Sequence, residues 1–339
     1  MPPLAPARRR PPEPAVAYAT DRGRLLVGKA EDLLADPALD DLRGRVQLVF
    51  TSPPFPLLRP KKYGNRQGDE YASWLASLAI PLTKFLSPTG SIVMELGNGW
   101  NPGTPTVSTI GIKALLAFQE EAGLHLCQEF ICYNPARLPT PAEWVAVRRE
   151  RVKDAFTRVW WLSPTPTPKA DNRRVLTEYS DAMRKLLSRG TYSSGRRPSE
   201  HKVGRRSFLA DNGGAIPPNV LVAPVEEPQA VLPIPNTASR GGYHEKCRKG
   251  NVPRHPAAMP EPLVEFFVKF LTDPGELVLD PFAGSNTTGA VAENLGREWV
   301  GFEADAAYAE ASKVRFAASG SAACGVALGD ATPEAAEQS

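Results

Sequence analysis

The sequence predicts an α/β fold with a largely parallel sheet, on three observations. Short apolar runs alternate with segments of helical spacing along most of the chain. A strand, a glycine-containing loop, a helix and a second strand follow one another between Leu277 and Phe302. The apolar run Val46 to Phe50 stops abruptly at Thr51-Ser-Pro-Pro-Phe55. The run Val46 to Phe50 looks like a buried strand.

The elements follow in chain order. Residues 1 to 16, MPPLAPARRRPPEPAV, hold too much proline and arginine for a helix or a ladder and are expected to form a disordered tail. Leu25 to Gly28, Val46 to Phe50 and Ser91 to Leu96 read as strands, with helical spacing from Glu70 to Leu86 between the last two. Ile110 to Ala122 reads as a helix stopped by Gly123, and His125 to Tyr133 and Phe156 to Leu162 add two strands. From Ser163 to about Arg254, prolines such as Pro164, Pro166, Pro217, Pro218 and Pro233 break the periodicity, so loops and small elements are expected. Order returns with the apolar helix Glu261 to Leu271, the strand Leu277 to Leu279, the helix Thr287 to Leu295 and the strand Trp299 to Phe302. The alanine-rich end beyond Phe316 is expected to fray. The expected division is a core of residues 17–162 and 255–318, an irregular recognition region 163–254, and tails 1–16 and 319–339.

Composition narrows the function. The 339 residues are 42% hydrophobic and 23% charged, which is ordinary globular usage. No apolar stretch approaches the ~18 residues a membrane helix needs, and the basic, proline-rich start lacks the apolar segment of a secretory signal. A cytoplasmic, nucleoid-associated protein with no membrane partner is expected, and the four cysteines form no repeated pair. The net charge of +3 conceals an asymmetry: residues 137–254 carry 22 Lys and Arg against 11 Asp and Glu, whereas the rest carries 18 against 26. One basic segment on an acidic body points toward nucleic acid.

The late loop, Asp280-Pro-Phe-Ala-Gly-Ser-Asn-Thr-Thr-Gly289, joins a strand to a helix. Gly284 stands where a tight turn and close backbone approach are needed, and the helix N-terminus offers unpaired N–H groups to an anionic group such as a carboxylate. Glu303, at the end of the next strand, is spaced to accept hydrogen bonds from two ribose hydroxyls. Without Gly-x-Gly-x-x-Gly or a Gly-Lys-Ser/Thr ending, a single nucleoside is favoured over a dinucleotide or NTP hydrolysis.

The early loop places a rigid Pro-Pro turn at the carboxyl end of a strand, the rim where open α/β sheets bind ligands. Pro54 has no N–H, so the Pro53 carbonyl is left as a free acceptor beside the Ser52 hydroxyl, and Phe55 adds an aromatic face. That set suits an exocyclic base amine that stacks on Phe55, gives hydrogen bonds to Ser52 Oγ and Pro53 C=O, and turns its nitrogen toward a sulfonium methyl. The sequence contains no Pro-Cys dipeptide, so the covalent cysteine route to cytosine C5 has no evident nucleophile.

Asp-Pro-Phe-x-Gly-Ser-x-Thr-Thr resembles the S-adenosylmethionine loop of DNA amino-methyltransferases, and Gly-Ser-Asn-Thr-Thr-Gly is similar to its form in the PvuII-type cytosine-N4 members. The resemblance implies that Asp280, Phe282, Gly284, Ser285, Asn286 and Thr287 line the cofactor pocket and that Glu303 binds the ribose. His255-Pro256-Ala257 resembles the segment that cradles the methionine end. Ser-Pro-Pro-aromatic is similar to the cytosine-N4 variant, and Asp/Asn-Pro-Pro-aromatic to adenine-N6 or glutamine-modifying ones. The order of early loop, basic region and late loop resembles the circularly permuted beta group, over roughly residues 22 to 316. This implies the methyltransferase fold with a mixed seven-stranded sheet and an inserted DNA-recognition region. Lys61-Lys62-Tyr63-Gly64-Asn65, Arg151-Val152-Lys153-Asp154-Ala155, Trp160-Trp161, Asp211-Asn212-Gly213-Gly214 and Ile216-Pro217-Pro218-Asn219 also resemble PvuII-type members. Lys29 stands where the family usually has an acid near the adenine, so Glu31 or Asp32 substitutes or cofactor affinity is altered.

The implied activity is site-specific methylation of cytosine N4 in duplex DNA, with base flipping and direct transfer. Adenine-N6 methylation, or a non-catalytic DNA-binding protein with a decayed cofactor pocket, remain the alternatives. Arg59, Lys61, Lys62, Arg173, Arg174, Arg196, Arg197, Arg205 and Arg206 are the expected DNA contacts, as phosphate partners or readers of guanine edges. A monomer or homodimer is expected, with a cognate restriction endonuclease acting separately. No metal is expected: Cys127 and Cys132 should leave a strand on opposite faces, and His125 adds too few ligands. Trp160 and Trp161 are expected to pack in the core.

Overall fold

The computed structural model describes residues 14–55, 66, 68–192, 195–196, 200, 202–204, 208–222, 238–256 and 258–316. Residues 1–13 and 317–339, which take in most of the expected tails, lie outside the described residues. So do Arg59, Lys61, Lys62, Arg197, Arg205 and Arg206, and the side chain of Arg196.

The chain opens with β1 (Val16–Ala19), β2 (Gly23–Val27) and the short helix α1 (Ala30–Ala35). Next come β3 (Val46–Thr51), α2 (Gly68–Ser77), α3 (Ala79–Phe85), β4 (Leu86–Leu96), α4 (Ile110–Glu121), β5 (His125–Tyr133) and β6 (Phe156–Ser163). The irregular region holds α5 (Asp181–Arg189), the two-residue strands β7 (Gly195–Arg196) and β8 (Lys202–Val203), β9 (Val220–Val222) and α6 (Ala238–Lys249). Then follow α7 (Glu261–Leu271), β10 (Leu277–Asp280), α8 (Thr287–Asn294), β11 (Glu298–Glu303) and α9 (Ala306–Ser312).

Nine strands form one mixed sheet in the order β1-β2-β11-β10-β3-β4-β6-β5-β9. Strands β2, β11, β10, β3 and β4 run parallel, and β6 is antiparallel to both its neighbours. The expected seven strands are the centre of this sheet. The two additions are edges: β1 turns back antiparallel on β2, and the three-residue β9 joins β5 from inside the proline-rich region. Strands so short leave no readable period, which is why neither is legible in the sequence.

Helices cover both faces, as the apolar strands require. One layer gathers Leu33 and Leu34 of α1, Leu75 of α2, Leu82 and Phe85 of α3 and Phe118 of α4 against Ile92, Met94 and Leu279 of the sheet. The opposite layer gathers Phe266, Phe267 and Leu271 of α7 and Val291 of α8 against Leu48, Phe50, Val93 and Val278. The Glu70 to Leu86 expectation resolves into two helices and the start of β4, because Pro81 has no N–H to give to the carbonyl four residues back. Trp160 and Trp161 pack into opposite layers as core residues. Cys127 and Cys132, expected on opposite faces, both pack against the second layer, since the bulge between Leu126 and Gln128 shifts the alternation by one.

Candidate active site

Strands β3 and β10 are parallel neighbours, so their carboxyl ends bring the two motif loops to one rim although some 230 residues of chain separate them. Thr51 Oγ1 donates to Asp280 Oδ1 at 3.0 Å and ties the loops at their roots. Asp280 also accepts from Phe282 N at 3.0 Å and Thr288 Oγ1 at 2.6 Å. Burial nonetheless pushes its carboxyl up to about 6, against the lowering effect of these bonds.

Above this junction opens a cavity of about 1340 Å³, lined by Ser52, Pro53, Pro54 and Phe55 on one side and Asp280, Phe282, Gly284, Ser285, Thr287 and Glu303 on the other. Ligand pockets commonly span ~300–1,000 Å³, so this one has room for a nucleoside and a base together. His255 and Glu31 also line it, and so does Lys29. Between the two candidates to replace the acid at position 29, the structure brings Glu31 to the cavity, where it accepts from Trp74 Nε1 at 2.5 Å and faces Arg66 at 3.5 Å. Burial would raise the Glu31 carboxyl, but bonds from its own backbone N–H and Trp74, and the Arg66 charge, hold it below the usual range.

The late loop is shaped for close approach. Gly284 sits at φ +53°, and a Cβ there would lie 2.9 Å from the His255 ring, so any larger residue would intrude on the cradle. Its N–H donates to Glu303 Oε2 at 2.9 Å, and Asp305 N donates to Oε1 at 2.8 Å. Burial raises the Glu303 carboxyl while these backbone bonds keep it oriented, with lone pairs left for a ligand's hydroxyls. Trp74 and Phe282 meet edge to face at 5.7 Å, and Arg66 lies over the Trp74 ring at 5.0 Å, forming an aromatic wall beside Glu31. The residues present therefore fit a nucleoside with a charged tail.

The early loop gains partners that the sequence did not announce. Ser52 hydrogen-bonds Glu95, which also accepts from Thr157 Oγ1 at 2.9 Å. Burial raises the Glu95 carboxyl, and the bonds from Thr157 and Ser52, with the charge of Arg137, oppose that. Gly97 makes room for Phe55, because a Cβ at Gly97 would sit 2.6 Å from its ring. The one trace of Glu95 in the sequence is that it is a lone acid in the apolar run Ser91 to Leu96, a feature that belongs to no motif.

Several expected residues lie elsewhere. Asn286 is fully buried in the left-handed region, where its Oδ1 caps Gly289 N at 3.0 Å and its Nδ2 donates to Tyr18 Oη at 2.9 Å, so it shapes the loop without lining the cavity. Pro256 is likewise set back from the lining, which His255 reaches instead. Arg173 and Arg174 are brought to the other rim. Both pair with Asp171, and Arg174 also pairs with Asp273 at 2.5 Å and donates to Thr272 O at 2.9 Å, at the loop entering β10. Both are thus paired with acids at the amino-terminal edge of the parallel strands, away from the cavity. Sequence reading also passed over Arg315. It is buried, donates to Ser285 O at 2.6 Å, Ser285 Oγ at 3.1 Å and Glu261 Oε1 at 2.8 Å, and lies over the Tyr243 ring at 4.3 Å. It braces the late loop from behind.

The N6/N4 methyltransferase family model, a DNA methylase family, matches residues 46–314. The Type II methyltransferase M.PvuII of Proteus hauseri is 42% identical over 302 residues, covering 88% of this chain and 85% of the relative. The solved PvuII DNA methyltransferase (cytosine-N4-specific) superposes with a TM-score of 0.67 at 36% identity, over 89% of each chain. A Thermus thermophilus protein solved with S-adenosyl-L-methionine shares the fold at 20% identity, with a TM-score of 0.50, over 87% of this chain and 95% of its own.

Proposed function

The chain belongs to the N6/N4 DNA methylase family, and from that premise we propose that it transfers a methyl group from S-adenosyl-L-methionine to the exocyclic N4 amine of cytosine in duplex DNA. The observation that carries the reading is one cavity shared by Ser52 and Gly284, with Glu95 behind the serine.

The chemistry follows from the residues on each side. When bound, the cofactor supplies an electrophilic methyl group on a sulfonium. Gly284, Ser285, Thr287 and the α8 N-terminus would hold its carboxylate end, Glu303 its ribose, and Glu31 with Phe282 and Trp74 its adenine side. Ser52 gives its hydrogen to Glu95, so its outward lone pairs accept one hydrogen of the cytosine amine while the Pro53 carbonyl accepts the other. Phe55 stacks on the base and fixes its plane. Holding both hydrogens out of plane frees the nitrogen lone pair from the ring, which favours the tetrahedral nitrogen of the transition state. The methylated nitrogen then sheds a proton, which Ser52 Oγ can relay to Glu95, a carboxyl whose raised affinity for protons suits the task.

The target amine lies inside a duplex, so the base must leave the stack, at a cost of a few kcal/mol that contacts with DNA offset. The support for a DNA-reading role of the inserted region, 163–254, is its cations, among them Lys185, Arg189 and Arg196, outside the Arg173–Arg174 pair tied to the far rim and Arg184, which pairs with Glu178 and Asp181. The relative is a Type II methyltransferase, so we read the chain as the modification partner of a separate endonuclease. Among the described residues no helix is long and apolar enough to cross a membrane.

Labelled methyl transfer to duplex DNA, followed by digestion to nucleosides, tests the reading. Label on deoxycytidine at N4 is expected, and label on deoxyadenosine would defeat the assignment of the base.

A further inference from the structure

Residues 134–155 link β5 to β6 on the same rim as the cavity, and hydrogen bonds brace the loop throughout. Asn134 N donates to Ala155 O at 2.6 Å and Asp154 N to Thr140 O at 3.3 Å, closing its base. Lys153 Nζ donates to Pro135 O at 2.6 Å and Arg137 O at 3.3 Å. Asp154 is held in turn by Arg151 Nη2 at 3.0 Å and Trp100 Nε1 at 2.6 Å. Arg137 Nη1 adds a bond to Phe156 O at 3.0 Å.

On this frame stands Leu138, which is 75% exposed although it lines the mouth of the cavity holding Ser52 and Phe55. A single exposed leucine is ordinary on a surface. Here hydrogen bonds hold the backbone on both sides, and the following Pro139 biases Leu138 toward an extended conformation, so the residue is presented from a braced loop. Resting on the function proposed above, we infer that Leu138 enters the duplex as the target base leaves it and fills the space between the flanking pairs. Leucine is among the apolar side chains that minor-groove and architectural DNA-binding proteins insert between base steps, where the contact surface gained offsets the unstacking. The wedge acts on the extrahelical state of the base and not on the chemical step, so its contribution depends on how firmly the target is paired and stacked between its neighbours.

The experiment compares single-turnover methyl transfer by the full chain and by Leu138→Ala on two duplexes. In one the modified cytosine lies in a fully paired site; in the other it and its flanking nucleotides lie in an unpaired bubble, which removes the costs of unpairing and of opening a gap between flanking pairs. The variant is expected to be about tenfold slower or worse on the paired duplex and within about twofold of the parent on the other. Cofactor affinity should be unchanged, and Leu138→Met should keep most of the rate. Equal losses on both duplexes, or no loss on the paired one, would overturn the wedge. A parent chain that methylates neither duplex would overturn the function reading itself, and the wedge with it.

Discussion

Thr51 Oγ1 donates to Asp280 Oδ1 at 3.0 Å, a bond between the last residue of one strand and the last residue of its parallel neighbour. Through it the loop that presents Ser52 and the loop that presents Gly284 share one foundation. Replacing Thr51 with valine leaves a buried carboxylate oxygen short of a donor, at a cost of about 1–3 kcal/mol. Urea denaturation should register that loss, and methyl transfer should fall alongside it. Unchanged stability would mean the junction is not under tension from burial.

Asp280 gives the fold a pH signature. Its folded value of about 6 lies above the ordinary aspartate value, so the stability linked to it is fully present below that ordinary value and is lost as pH rises through about 6. Unfolding free energy should therefore decline across about pH 4 to 6 by up to about 3 kcal/mol from this group. Asp280→Asn should flatten that slope. An identical slope in the variant would assign the pH dependence to other groups.

Ser52→Ala should leave cofactor affinity nearly intact while slowing transfer by about 10²–10³-fold, the usual cost of one preorganised partner at the reacting centre. Glu95→Gln tests the group behind it. The carboxylate form accepts from Ser52, and burial raises its pKa, so turnover should rise with pH through that raised value and lose this limb in the variant. A retained limb in Glu95→Gln would place the titrating group elsewhere.

Gly284→Ala combines a left-handed backbone, costing about 1–2 kcal/mol for a residue with Cβ, with a 2.9 Å encroachment on the His255 ring. Calorimetry with S-adenosyl-L-methionine should show binding weakened by an order of magnitude or more, with the far-UV spectrum preserved. Arg315→Lys should weaken it too, since an ammonium cannot reproduce the guanidinium's bonds to Ser285 and Glu261.

Arg174→Ala should leave DNA affinity and its dependence on salt unchanged, because its partners are Asp171, Asp273 and Thr272 O at the far rim. A shallower slope of log affinity against log salt would instead make it a phosphate contact.

Much of this was legible in the sequence. The helix Glu261–Leu271 and the strand His125–Tyr133 stand at the boundaries their apolar patterns predict, and the motif loops meet at the rim that parallel strands impose. What escaped depends on tertiary placement. Asn286 reads as a cofactor contact in the motif, yet the left-handed turn directs its amide inward to cap α8 and meet Tyr18. Arg173 and Arg174 read as DNA contacts because charge is countable in a sequence, while the acids that pair with them come partly from about a hundred residues away. Glu95 and Arg315 belong to no motif, and only the fold reveals that one backs Ser52 and the other Ser285.

The decisive experiment is a structure of the full chain with a non-transferring analogue of S-adenosyl-L-methionine and a duplex containing the modified site. It should show an extrahelical cytosine stacked on Phe55, its N4 about 3 Å from Ser52 Oγ and from the Pro53 carbonyl, facing an analogue seated against Gly284. A cytosine held away from Ser52, or an analogue bound in a cavity that Ser52 does not line, would refute transfer across the shared rim.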